Sequence, residues 1–186
     1  MSKFLVDDNL RFEFISFLSV EKFDTEEKNT AGLECVDIIA VSADCLYFIE
    51  AKDFQNPEAP PAQRMKDFDM LIEAGKSKGE RKKDGKVEGR DEAVFRIKIG
   101  GKIKDSLLRE FAAGKTFAKP VVYLLLINLD RLGASELGRL KEKISGYIPI
   151  GLNKSSFSAF TEIKFDVVNA EQLKQYGIIC TEKVKA

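Results

Sequence analysis

Asp37, Glu50 and Lys52 stand in the most apolar part of the chain, VDIIAVSADCLYFIEAK over residues 36–52. Charged groups in such a run are costly to bury unless an opposite charge or a hydrogen bond meets them. Two carboxylates brought close together repel, and a cation between them removes that cost. The chain has no histidine among its 186 residues, which closes off Ser-His-Asp and Cys-His catalysis and most zinc chemistry. A metal here would be held by oxygen, which favours Mg²⁺, Mn²⁺ or Ca²⁺. Cys35, Cys45 and Cys180 are odd in number and lack a CxxC spacing, so a disulfide framework is not expected.

One site forms only if the strands align the three groups. Side chains alternate along a strand, so Glu50 and Lys52 share a face with Leu46 and Phe48. A turn of two residues (Ala43-Asp44) or four (Ser42 to Cys45) pairs residues whose numbers sum to 87, and Asp37 then faces Glu50. A three- or five-residue loop without a bulge sends Asp37 to the other face. The pattern of acid, any residue, lysine is uninformative by itself, since it occurs five times, at 26–28, 50–52, 80–82, 84–86 and 162–164. Only the copy at 50–52 closes a strand that is apolar on both faces and follows another strand containing an acid. The plain alternative is an ion pair at the strand's exit into solvent.

The elements around this hairpin read as a mixed α/β domain. Residues 7–20 have an Asp/Asn start and dense apolar positions that suit a short helix or a strand, with the lean towards a helix. Residues 33–41 and 45–52 are strands. Met65, Phe68, Leu71 and Ile72 mark a helix after Pro60-Pro61, ending near Gly75. Residues 75–92 read as a charged loop or insertion with four glycines. FRIKIGG (95–101) reads as a short strand, followed by a helix with Ile103, Leu107, Leu108 and Phe111 on one face and Gly114 at its end. Residues 120–130 form a strand covered on both faces. A helix over ASELGRLKEKISGYI, a strand at 161–168 and a short helix capped by Asn169 complete the order. One domain over residues 1–186 is expected, with helices on a central sheet. No apolar run reaches the ~20 residues of a membrane span, so the expectation is a cytoplasmic protein without a membrane partner. The oligomeric state, a homodimer included, is left open.

Asp37, then twelve residues, then Glu50-Ala51-Lys52 across a strand hairpin, with a helix upstream and a helix and strand downstream, resembles the PD-(D/E)XK nuclease superfamily. Its sequence-specific part is Val36-Asp37 and Ile49-Glu50-Ala51-Lys52-Asp53-Phe54, with Val where the family often has Pro. The Gln-x-x-x-Tyr element of one nuclease branch and the cysteine quartet of iron–sulfur relatives are absent. The resemblance implies a restriction-endonuclease-like α/β fold, a mixed central sheet flanked by helices, and metal-dependent hydrolysis of nucleic acid, with DNA as the expected substrate. It implies that Asp37, Glu50 and the backbone carbonyl of Ala51 bind Mg²⁺ or Mn²⁺. Lys52 would orient or deprotonate the attacking water, or stabilise the transition state. A further acid from the first helix would be Glu13, with Glu21 and Glu34 as rivals; Glu34 has the wrong parity relative to Asp37. The alternative is a nuclease-like domain that has become a catalytically inactive binding or interaction module.

Charge is balanced overall, 30 basic against 30 acidic residues, yet residues 76–104 hold eleven Lys/Arg against five acids. Arg96, Lys98, Lys102 and Lys104, at the expected start of a helix, and Arg81, Lys82 and Lys83 in the charged segment are candidate nucleic-acid contacts. Solvated surface charge is the simpler account of each. Gly100-Gly101-Lys102 lacks the spacing of a phosphate loop.

Overall fold

A computed structural model describes residues 2–25, 32–56, 90–115, 118–130, 132–149 and 162–183, with the side chains of 90–96 excepted. The helix expected at 62–75, and Arg81, Lys82 and Lys83, lie outside the described residues, as does the side chain of Arg96.

The described residues form a mixed α/β structure with two sheets. Strands β1 (Ser2–Asp7) and β2 (Leu10–Ile15) pair with β8 (Ile178–Glu182) in the order β1-β2-β8. Strands β3 (Ser19–Lys22), β4 (Ile38–Val41), β5 (Leu46–Asp53), β6 (Val121–Asn128) and β7 (Ile163–Val168) form a five-stranded sheet in chain order. Its first three strands run antiparallel to their neighbours, whereas β5, β6 and β7 are mutually parallel. Parallel neighbours need crossovers. Helix α1 (Arg90–Ala112) lies in the connection from β5 to β6, and α2 (Ala134–Ser145) in that from β6 to β7.

The sheet is covered on both faces. Phe48, Tyr123, Leu125 and Phe165 meet Ile99, Ile103 and Leu107 of α1 and Leu137, Leu140 and Ile144 of α2. The opposite face, with Ile49, Val122, Leu124 and Leu126, meets Phe12 and Phe14 of β2, Ile178 of β8 and Leu173 of the short helix α3 (Ala170–Leu173). This explains why all eight residues of β6 are buried, as its unbroken apolar run leads one to expect. Asn169 caps α3 as its sequence suggests: it accepts from the Gln172 N–H at 2.9 Å, and Gln172 Oε1 accepts from the Asn169 N–H at 3.2 Å.

Two sequence expectations are corrected. Residues 7–20 are strands: Leu10, Phe12 and Phe14 are buried while Arg11 and Ile15 face out, a period of two rather than 3.6. Asp8 takes φ 46° inside the β1–β2 turn, using the left-handed tolerance of Asp where a helix cap had been expected. Residues 95–101 belong to α1, which runs unbroken through Gly100-Gly101. Ile97 is 59% exposed and Ile99 2%, whereas a strand would put both on one face. Within the same helix Leu108 and Phe111 are exposed, so the buried stripe runs through Ile99, Ile103 and Leu107.

Gly100 is where α1 meets the end of α2. A Cβ there would lie 2.6 Å from Tyr147 Cβ and 2.7 Å from its carbonyl oxygen, whereas one at Gly101 meets nothing within 4 Å. Gly100→Ala is therefore expected to destabilise by about 1–3 kcal/mol through overpacking, partly offset by better helix propensity. Gly101→Ala is expected to gain about 0.5–1 kcal/mol. Urea denaturation of the two variants checks the pair; equal shifts would contradict this helix contact.

Candidate active site at the end of the β4–β5 hairpin

The β4–β5 register pairs Ile38 with Ile49, Ile39 with Phe48 and Val41 with Leu46, so paired numbers sum to 87. The Ser42 N–H donates to the Cys45 carbonyl at 2.9 Å, and the Ser42 hydroxyl accepts from the Cys45 N–H at 2.9 Å. The side chain thus supplies the turn chemistry that Ala-Asp lacks. The paired residues end at Ile38 and Ile49; since Ser42 and Cys45 are a hydrogen-bonded pair, a ladder continued by one residue would make 37/50 a non-hydrogen-bonded pair, the kind in which side chains approach most closely.

At Asp37 the strand peels away from its partner. The Val36 N–H turns to Ser106 Oγ at 2.9 Å, and the Asp37 carbonyl accepts from the Phe23 N–H of the β3 side at 2.7 Å. The Ala51 N–H, which continued pairing would give to Val36, instead donates to Asp37 Oδ2 at 2.7 Å. The carbonyl of a strand residue points to the same side as its N–H, so Ala51 C=O is directed towards Asp37 as well.

Glu50 is fully buried, at 0% exposure, on the α1 face of the sheet. Its Oε1 lies 2.5 Å from Lys52 Nζ and 2.9 Å from Lys102 Nζ, and Oε2 has no hydrogen-bond donor among the described residues. Lys102 Nζ also lies 3.5 Å from Asp37 Oδ1 and 3.7 Å from Asp24 Oδ2. Its side chain is 11% exposed, whereas Lys52, at 34%, opens to solvent. Burial, then the charge of Glu50, pushes the Asp37 carboxyl up to about 7, against the opposing pull of Lys102, Lys52 and the Ala51 N–H. Burial works against the Lys102 ammonium, but Glu50, Asp37 and Asp24 outweigh it and its pKa is raised. The Tyr123 hydroxyl, buried beneath the site, is held well above its ordinary range by burial and then by Glu50 and Asp37. It donates to the Ile99 carbonyl at 3.1 Å, fixing α1 against the sheet.

Lys102 is set in place by its own helix. Ser106 Oγ donates to the Lys102 carbonyl at 2.7 Å while accepting from Val36. Asp105 accepts from the Glu34 N–H at 2.9 Å, and Arg109 donates to the Phe23 carbonyl at 3.2 Å with its guanidinium 4.3 Å from the Phe23 ring centre. Lys102, Ser106 and Arg109 are spaced by four and three residues, a polar stripe beside the apolar one.

Of the expected site residues, Asp37, Glu50, Ala51 and Lys52 come together. Glu13 does not join them: Phe12 and Phe14 on either side are buried, so its carboxylate lies on the outer face of the three-stranded sheet. Glu21 and Glu34 are exposed. Lys102 and Lys104 sit inside α1 rather than at its N-terminus, so their backbone amides are not free to meet a phosphate. Lys98 is exposed one helical turn before Lys102, whereas Lys104 is about 200° round the helix and faces away. Lys102 within the carboxylate group and Asp24 beside it went unrecognised in the sequence. The 102, 106, 109 stripe is the signal that reveals Lys102; nothing marks Asp24 in the polar segment after Phe23.

Glu50's unpartnered oxygen and the Asp37 carboxylate suit an oxygen-bound cation. As the side chains lie, no group of three or more His, Cys, Asp or Glu among the described residues is arranged to hold a metal. The cation between Asp37 and Glu50 is the ammonium of Lys102. No helix among the described residues is long and apolar enough to cross a membrane. In comparisons with known proteins the chain matches no family model, no curated protein and no solved structure.

Proposed function

We propose that the chain is a metal-dependent nuclease that hydrolyses phosphodiester bonds of nucleic acid, with DNA as the expected substrate, on a restriction-endonuclease-like fold. One observation carries the reading: Asp37, one residue beyond the last β4–β5 pair, shares the Lys102 ammonium with a fully buried Glu50 whose Oε2 has no donor among the described residues, and Lys52 stands two residues further at the solvent side. The topology supports it too, since the acid-bearing hairpin leads through a helix to a parallel strand in a mixed sheet.

Asp37, Glu50 and the Ala51 carbonyl would hold Mg²⁺ or Mn²⁺, with Asp24 replacing Glu13 as the further acid. When bound, the ion supplies Lewis-acid polarisation of the phosphate and acidifies water. Burial keeps the carboxylates in a low-dielectric setting where they favour a cation strongly. Lys52 Nζ, partly solvated beside Glu50, donates to the attacking water and offsets negative charge growing on the phosphoryl oxygens. Lys98 on the exposed part of α1, with Arg96, Arg81, Lys82 and Lys83, would contact the phosphate backbone.

A second reading keeps one observation on its side. Lys52 and Lys102 already neutralise Asp37 and Glu50, which suits a nuclease-like binding module with a purely structural ion cluster. Incubation of the protein with duplex DNA, single-stranded DNA and RNA at millimolar Mg²⁺ or Mn²⁺ separates the two. The nuclease reading expects cleavage that stops on chelation. Intact substrates with folded protein would favour the module.

A further inference from the structure

Three carboxylates gather round a single ammonium: Lys102 Nζ is 2.9 Å from Glu50, 3.5 Å from Asp37 and 3.7 Å from Asp24. Lys52 touches Glu50 alone among them and is three times as exposed. The two lysines therefore hold different places, Lys52 at the rim and Lys102 in the middle. An ammonium at that point removes the repulsion between Asp37 and Glu50, as a divalent ion would, and it leaves Glu50 Oε2 without a donor among the described residues.

We propose that Lys102 is a built-in occupant of the divalent-cation position, which must withdraw its ammonium before metal binds between Asp37 and Glu50. This rests on the metal-dependent reading above. Two positive charges cannot share one pair of carboxylates at such distances without strong repulsion, so ion and ammonium compete. The backbone of Lys102 is fixed through Ser106, Asp105 and Arg109. Withdrawal therefore occurs along the four-carbon side chain, whose rotatable stem carries a compact charge. Of the two lysines at Glu50, Lys52 is the one open to solvent, at 34% exposure, so the ammonium is expected to turn towards that rim, where a phosphate would lie. Lys102 is thus a positioning residue: it keeps the carboxylates together without metal and turns towards the phosphate once displaced. Metal should bind loosely to the protein alone.

Calorimetric titration of Mn²⁺ into the full chain and into Lys102→Met and Lys102→Gln tests this, with circular dichroism to confirm folding. At least tenfold tighter Mn²⁺ binding in both variants is expected. Equal or weaker binding in folded variants would overturn the displacement while leaving the metal-dependent reading in place. Absence of Mn²⁺ binding in all three proteins would overturn both. A measurement on the unaltered chain guards against variants that fail to fold: with ¹⁵N-labelled lysine, the Lys102 Nζ signal should shift or exchange away as Mg²⁺ saturates the protein. A signal unchanged at saturation overturns the proposal.

Discussion

Lys52→Ala is expected to lower metal-dependent cleavage by about 10²–10⁴-fold, the range for losing a positioned proton-transfer or charge-stabilising group, while the protein stays folded. The fold should survive because Lys52 is partly solvated and Glu50 keeps the Lys102 ammonium at 2.9 Å. Mn²⁺ affinity should change little, since the Asp37 and Glu50 oxygens remain. Single-turnover rates under saturating Mn²⁺ give the readout, with calorimetry as the control for metal binding. A loss confined to the rate constant places Lys52 at the reacting phosphate. A loss that follows metal affinity makes it a partner of Glu50 only, and full activity would remove it from the mechanism.

The separate duties of Lys52 and Lys102 could not be read from sequence, because the phase of a helix depends on where it starts. With residues 95–101 taken as a strand, Lys102 falls at a helix N-terminus and looks like a phosphate contact. With α1 beginning at Arg90, the same residue lies in mid-helix on the stripe facing the hairpin. The glycine pair at 100–101 caused the misreading, since glycine weakens helix propensity; packing against Tyr147 overrides that cost.

The two strands of the hairpin were legible because both runs are rich in Val, Ile, Phe and Tyr with a short polar Ser-Ala-Asp between them, although Ala-Asp is a weak turn signal. Counting placed 37 against 50 only for a turn of two or four residues, and the Ser42–Cys45 closure is what selects that register. The β1–β2 hairpin was not legible, because Asp-Asn before apolar residues serves equally as a helix cap or a tight turn. That single ambiguity also misplaced Glu13, whose side of the strand is decided by Phe12 and Phe14 facing the core.

Asp37→Asn is expected to act in opposite directions on stability and on activity. The folded protein holds the Asp37 proton up to about pH 7, through burial and then Glu50, whereas an unfolded chain releases it near the ordinary 3.8. Between those values the folded state binds more protons than the unfolded one, so stability falls as pH rises through the window and stays low above it. Asparagine cannot ionise, yet its amide oxygen still accepts from the Ala51 N–H. The variant should match the parent below pH 4 and pull ahead as pH climbs, reaching an advantage on the order of a few kcal/mol at pH 8. Mg²⁺ should narrow that gap by stabilising the parent through its ionised carboxylate, with little effect on the variant. Cleavage by the variant should fall at least as far as in Lys52→Ala, because a carboxylate ligand of the proposed ion is gone. Thermal melts at pH 4, 6 and 8, with and without Mg²⁺, read all of this. If Asp37→Asn is instead less stable at pH 8 than at pH 4 relative to the parent, the carboxylate is a structural partner of Lys102 and not a charge held ready for a cation.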